Sequence, residues 1–168
     1  MASLKTMRNS FLLLLLAGAL AACKKEASPA PASKTDLLTA KNWRLTAATT
    51  VSIASSGNTT TDNYATEPLC ARDNFRTYQR DNAVVFDEGP TTCNPASPQT
   101  TAIPWAWQDN ETTLVHTVST LSGTGPSTAP VKYQVVELTA STLHLRYVLQ
   151  QHFGGSDSLI QEWTYTAF

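Results

Sequence analysis

The sequence predicts an all-β domain: eight antiparallel strands joined in chain order and closed into an up-and-down barrel, with a short helix before the first strand. Three observations carry this. From Trp43 to Phe168, segment after segment alternates apolar and polar residues, the period of a strand with one buried side. Turn formers punctuate those segments: Asp81 and Asn82, Asp109 and Asn110, Thr139 to Ser141, Gly154 to Asp157. Thr and Ser are abundant and helix-forming runs are short. A meander of eight strands closes most simply into a barrel. A two-sheet sandwich is the alternative.

The chain opens with a different kind of segment. Lys5 and Arg8 precede the apolar run Phe11–Leu16 and the small residues Ala17–Ala22. This is the pattern of a secretory signal peptide, and it is shorter than the ~20 residues a transmembrane helix needs. Leu20-Ala21-Ala22-Cys23 resembles the lipobox of bacterial lipoproteins. The resemblance implies cleavage after residue 22 and acylation of Cys23, with two or more acyl chains holding the protein firmly on a membrane. Lys24, rather than Asp, after the cysteine resembles lipoproteins sent to the outer membrane. An ordinary signal peptide ending near a cysteine is the plainer alternative.

Residues 23–34 form a tether. Pro29 and Pro31 among Ala and Ser keep it extended and unfolded; Lys24 to Lys34 reaches about 35 Å when stretched. The barrel domain is expected over 35–168. Thr35 is a candidate N-cap for a short helix. Trp43, Leu45, Ala47, Thr49, Val51 and Ile53 then share one face of a long first strand. Ser55–Glu67 reads as a long polar loop and Pro68–Asn74 as a turn or a single helical turn. Phe75–Gln79 and Ala83–Phe86 make a hairpin, and Gly89–Pro98 is a loop. Thr100–Trp107 follows with Ile103, Trp105 and Trp107 on one face; Pro104 implies an edge or a bulge. The strand Thr112–Thr120, the loop Leu121–Pro130 and the strand Val131–Leu138 come next. Thr142–Phe153 and Ser158–Phe168 form the last hairpin. Pairing Tyr147 with Trp163 separates its faces and makes Glu162 a diagonal neighbour of Arg146.

With Cys23 acylated, two of the three cysteines remain, Cys70 and Cys93. In an oxidising exported compartment a disulfide is their default, with two free thiols as the alternative. It would tie the start of the Phe75–Phe86 hairpin to its end. Removing Lys5 and Arg8 leaves a mildly acidic chain, and no basic patch points to nucleic acid.

From Leu37 onward the chain resembles the lipocalin-like domain lipoproteins of Gram-negative bacteria. Leu37 to Leu45 is similar to that family's helix running into a Trp-bearing first strand. Cys70, Asp73, Asn74, Phe75, Asp87, Glu88, Gly89 and Cys93 follow its Cys-hairpin-Cys layout, and Val135–Leu143 its penultimate turn. Lys41 stands where lipocalins proper carry a glycine. The resemblance implies a barrel and small-molecule binding, and it supplies no activity.

Candidate chemistry is sparse. His144 and His152 share a strand face about 26 Å apart, too far for one metal, and His116 has no third partner, so no metal site is expected. Asp87 and Glu88 are adjacent, hence on opposite strand faces, and read as the solvated start of a loop. Nothing marks a catalytic serine, and no cofactor is called for. The candidate ligand-binding residues are Trp43, Trp105, Trp107, Tyr147, Trp163 and Tyr165, which line a pocket for an apolar ligand or fill the barrel. The expected function is non-enzymatic binding of a small apolar molecule at the cell envelope. The alternative is an interaction protein with a filled barrel, working through its loops on a protein or glycan.

Overall fold

The computed structural model describes residues 32–122, 125–150 and 158–168. The signal peptide, Cys23, most of the tether, His152 and the Gly154–Asp157 turn lie outside them.

Helix α1 (Lys34–Thr39) is only six residues long, so its cap matters. Ser33, not Thr35, is the N-cap: its Oγ accepts from the Asp36 N–H while the Asp36 carboxylate accepts from the Ser33 N–H. Strands β1 (Asn42–Ile53), β2 (Thr59–Asp62), β3 (Phe75–Tyr78) and β4 (Ala83–Asp87) follow. Then come β5 (Thr100–Gln108), β6 (Thr113–Ser122), β7 (Gly125–Leu138), β8 (Thr142–Gln150) and β9 (Ser158–Ala167). Between β2 and β3 lie a 3-10 turn (Tyr64–Thr66) and helix α2 (Leu69–Arg72).

All strands belong to one antiparallel sheet. β1, β3, β4, β5, β6, β7, β8 and β9 form a ring of eight in chain order, closed by β1–β9 pairing, rather than a two-sheet sandwich. The ring is uneven. On one edge of β1 only Asn42–Arg44 pair with β3; higher on that edge Thr49–Ser52 pair with β2. The stretch read as a long loop, 55–67, thus contains β2, which is a ninth strand outside the ring. β5 pairs with β6 only from Trp105 to Gln108. The Trp105 N–H points to the β4 side, donating to Asn82 O, so the N–H that Pro104 lacks would point to the β6 side. Pro104 therefore ends the β5–β6 ladder, and from Thr100 to Pro104 that side of β5 is a local edge, as expected.

Three further expectations change. The loop expected over 121–130 is replaced by strand: β6 runs to Ser122 and β7 starts at Gly125. The last hairpin pairs Leu145 with Trp163 and Tyr147 with Gln161, a slip of two residues that keeps every side chain on its expected face. Arg146 is consequently opposite Glu162 and bonds it at 2.6 Å. In β1 a bulge between Leu45 and Ala47 reverses the alternation beyond it. Ala48 is buried instead of Ala47, and Ile53 is exposed.

The turns obey local chemistry. Asn82 takes φ 67°, and Asp109, Asn110 and Glu111 take φ 52°, 54° and 61°, a conformation Asn and Asp tolerate best. The Asp109–Glu111 turn is held from outside, because Lys34 Nζ donates to Glu111 O at 2.7 Å. α1 thereby closes one end of the ring. Leu38 is fully buried there, beside a core of Trp43, Tyr78, Val84, Trp105, Leu114, Leu143, Leu145 and Tyr165. The Cys70–Cys93 disulfide is formed, with Cα atoms 5.2 Å apart, and ties α2 to the loop after β4 as expected.

Candidate functional site: a cavity around Arg76

Above the short strands β3 and β4 the barrel wall is low, and a cavity of about 300 Å³ opens there. Its inner lining comes from strand residues: Trp43 and Leu45 of β1, Arg76 of β3, Phe86 of β4 and Tyr165 of β9. Its rim comes from the segment before β3 and the end of β4: Glu67, Ala71, Asn74, Phe75, Asp87 and Glu88. The disulfide fixes the two chain segments that bear this rim.

Register explains the lining. Trp43 pairs with Arg76, and Arg76 with Phe86, so these three form one row across β1, β3 and β4. Trp43 is fully buried, and Tyr78 shares the Arg76 side of β3 and is buried too. Arg76 therefore projects into the barrel. Its guanidinium carbon stands 4.2 Å from the Tyr165 ring centre and 5.0 Å from that of Phe86, within cation–π range. Among the described residues, ion pairs join Arg80 to Asp36 and Arg146 to Glu162, which His144 also approaches at 3.6 Å; Arg76 is in none of them.

The polar groups around Arg76 form a chain. The Arg76 charge acts on the Tyr78 hydroxyl, favouring its ionised form against burial, and Tyr78 Oη lies 3.1 Å from His116 Nε2. The protonated Tyr78 hydroxyl can give its proton to His116. Burial, reinforced by the Arg76 charge, lowers His116 to about 3, so its ring is neutral at neutral pH and can accept that proton. Burial pushes the Tyr78, Tyr165 and Tyr133 phenols up, opposed by Arg76. They stay protonated and cannot serve as counter-ions.

The six aromatic candidates separate into three groups. Trp43 and Tyr165 line the cavity. Trp105 and Trp107 stand edge to face at the helix end, where Trp105 Nε1 donates to Gln79 O and Trp107 Nε1 to Thr35 Oγ1. Tyr147 and Trp163 pack on Tyr133 at 6.0 and 5.7 Å, partly buried. Arg76, Tyr78 and Phe86 were not singled out by sequence. In Phe-Arg-Thr-Tyr the aromatic residues have opposite parity, so the alternation leaves the inner face undecided. Phe75 is satisfied outside, edge to face with Phe168 at 5.5 Å, which leaves Arg76 and Tyr78 inside.

The acidic pair is not simply solvated. Asp87 and Glu88 are half-buried at the rim, and Asp87 Oδ1 accepts from the Gly89 N–H and from Gln99 Nε2, both at 2.8 Å. His116 is an interior residue and His144 an outer one. No three His, Cys, Asp or Glu among the described residues come together as a metal site. No described helix is long and apolar enough to cross a membrane. Compared with protein-family models and with curated proteins, the chain matches none.

Proposed function

We propose that this protein is a lipid-anchored binding protein of the bacterial cell envelope, with a lipocalin-like barrel that takes up a small, largely apolar molecule and releases it unchanged. The anchor is acylated Cys23, the 23–34 tether holds the domain off the membrane, and Lys24 favours the outer membrane. The observation that carries the binding reading is the 300 Å³ cavity walled by Trp43, Leu45, Phe86 and Tyr165, at the small end of the range for ligand pockets of about 300–1,000 Å³. Native mass spectrometry of the protein extracted gently from its own membranes tests this: a co-purifying small molecule of defined mass is expected. Intact mass of the same sample is expected to fit a chain starting at Cys23 plus acyl groups, and an unmodified Cys23 would remove the anchor.

One observation favours a second reading, an interaction protein. On the outer face above the β1 bulge, Val51, Ile160 and Val148 lie in one cross-strand row, and Val148 is 48% exposed. Such apolar surface suits a protein or glycan partner. A purified protein free of small molecules, together with loss of partner capture on Val148→Lys, would favour this reading.

A further inference from the structure

We propose that the cavity takes an anion: a molecule with one compact acidic group, held by Arg76, on an uncharged apolar or aromatic body. The inference rests on reading the cavity as a ligand site and names the ligand's class.

Arg76 carries a fixed positive charge inside a barrel whose facing side chains are Trp43, Phe86 and Tyr165. Charges removed from water are ordinarily paired with an opposite charge. Towards solvent, Arg146 meets Glu162 and Arg80 meets Asp36, each at 2.6 Å, while Arg44 and Arg72 lie over the rings of Phe168 and Tyr64 without an acid among the described residues. Arg76 meets aromatic rings and a phenol inside the barrel. Burial keeps those phenols protonated, and His116 is neutral, so none of them balances the charge. Yet Arg76 keeps some exposure, and it lines the cavity. A guanidinium fork is suited to a carboxylate or a similar planar anion, and the ring faces of Phe86 and Tyr165 suit the body that carries it.

The rim narrows the class further. Glu67, Asp87 and Glu88 border the cavity without forming an ion pair with Arg76. An acidic rim around a single interior cation repels polyanions such as nucleotides, and leaves room for one buried charge.

The test uses the full-length, detergent-extracted protein and two probes of the same shape, 2-naphthoate and 2-naphthamide, with affinities from calorimetry. The wild type is expected to bind the carboxylate at least tenfold more tightly than the amide. Arg76→Met is expected to abolish that preference by weakening the carboxylate far more than the amide. Should that variant not fold, the wild-type preference and Leu45→Trp decide. The latter fills the cavity without altering Arg76 and is expected to weaken both probes. Equal wild-type affinity for the two probes overturns the anion inference and leaves the binding reading standing. Binding of neither overturns both. Undiminished binding of both probes in Leu45→Trp places them outside the cavity and overturns the assignment to Arg76.

Discussion

At the helix end of the barrel, three indoles are engaged: Trp43 Nε1 donates to Leu38 O at 2.8 Å, Trp105 to Gln79 O, and the partly buried Trp107 to Thr35 Oγ1. Even the strained Asp109–Glu111 turn is held there by Lys34. The disulfide side is built otherwise. Arg76 has no carboxylate, and Asp73 Oδ1 is buried with no hydrogen-bond partner among the described residues. The wall stops early, and a cross-link holds what the ladder does not. One end engages its indoles and its turn in hydrogen bonds. The other keeps space and unbalanced charge, which is where proteins carry function.

The largest effect should come from breaking the satisfied end. Trp105 is 3% exposed and packs edge to face on Tyr78 and Trp107. Trp105→Ala is expected to destabilise the domain by about 4 kcal/mol in urea titrations, from lost burial and the cavity left behind. Leu45→Ala, which only enlarges an existing cavity, should cost about 1–2 kcal/mol. Similar losses at the two positions would mean that both regions are packed alike.

Where the two regions meet, His116 makes the contrast depend on pH. Its folded value is lowered to about 3 from an unfolded 6.5, so between those values the unfolded chain binds the extra proton. Its contribution to stability is complete above pH 6.5 and is lost as the pH falls towards 3. By pH 4 the loss is about 3 kcal/mol. Asp36, lowered from 3.8 to about 2 chiefly by its hydrogen bond to Arg80, loses its contribution between those two values, so it adds little to a comparison of pH 7 with pH 4. Denaturation curves at pH 7 and pH 4 should therefore diverge for the wild type, and much less for His116→Gln. A wild-type curve unchanged between those pH values would refute the neutral buried ring.

Cross-link removal addresses the cavity side alone. Cys70→Ser with Cys93→Ser opens a loop whose ends lie 23 positions apart in sequence, worth about 3 kcal/mol on a chain-entropy account. The near-ultraviolet signal of the tryptophans should persist below the unfolding midpoint, because Trp105 and Trp107 hold their partners without the disulfide. Collapse of that signal under native conditions would show that the two regions fold as one unit.

Much of this was legible in the sequence. Period-two alternation gave the strands, turn chemistry gave Asn82 and Asp109, and the cysteine count gave the disulfide. What alternation misses is anything that shifts parity. The bulges after Leu45 and Val135 each insert one residue. Beyond Leu45 the apolar Val51 and Ile53 turn outward, and Val136, in the second bulge, is 43% exposed. β2 is built from Thr59–Asp62, all exposed, so it has no buried face to announce it. The site residue Arg76 escaped for a related reason: a charged residue in a short strand reads as solvent-facing. Only the outer Phe75–Phe168 contact, 93 positions apart in sequence and invisible to local pattern, turns it inward.

The smallest effect is expected on the outer wall, and it bears on Arg76. Arg146 and Glu162 make the same kind of cross-strand row as Arg76 and Phe86, but on the solvent side, with side chains 38% and 25% exposed. Glu162→Gln leaves Arg146 without its acid, as Arg76 is without one inside. Water can solvate the outer guanidinium, so the expected loss is about 0.5–1 kcal/mol, shrinking in 1 M salt. Binding in the cavity should be untouched. A loss above about 2 kcal/mol, insensitive to salt, would mean that this chain cannot leave even a surface arginine unpaired. The uncompensated Arg76 would then be harder to explain as structure alone, and the case for an anion above it would sharpen.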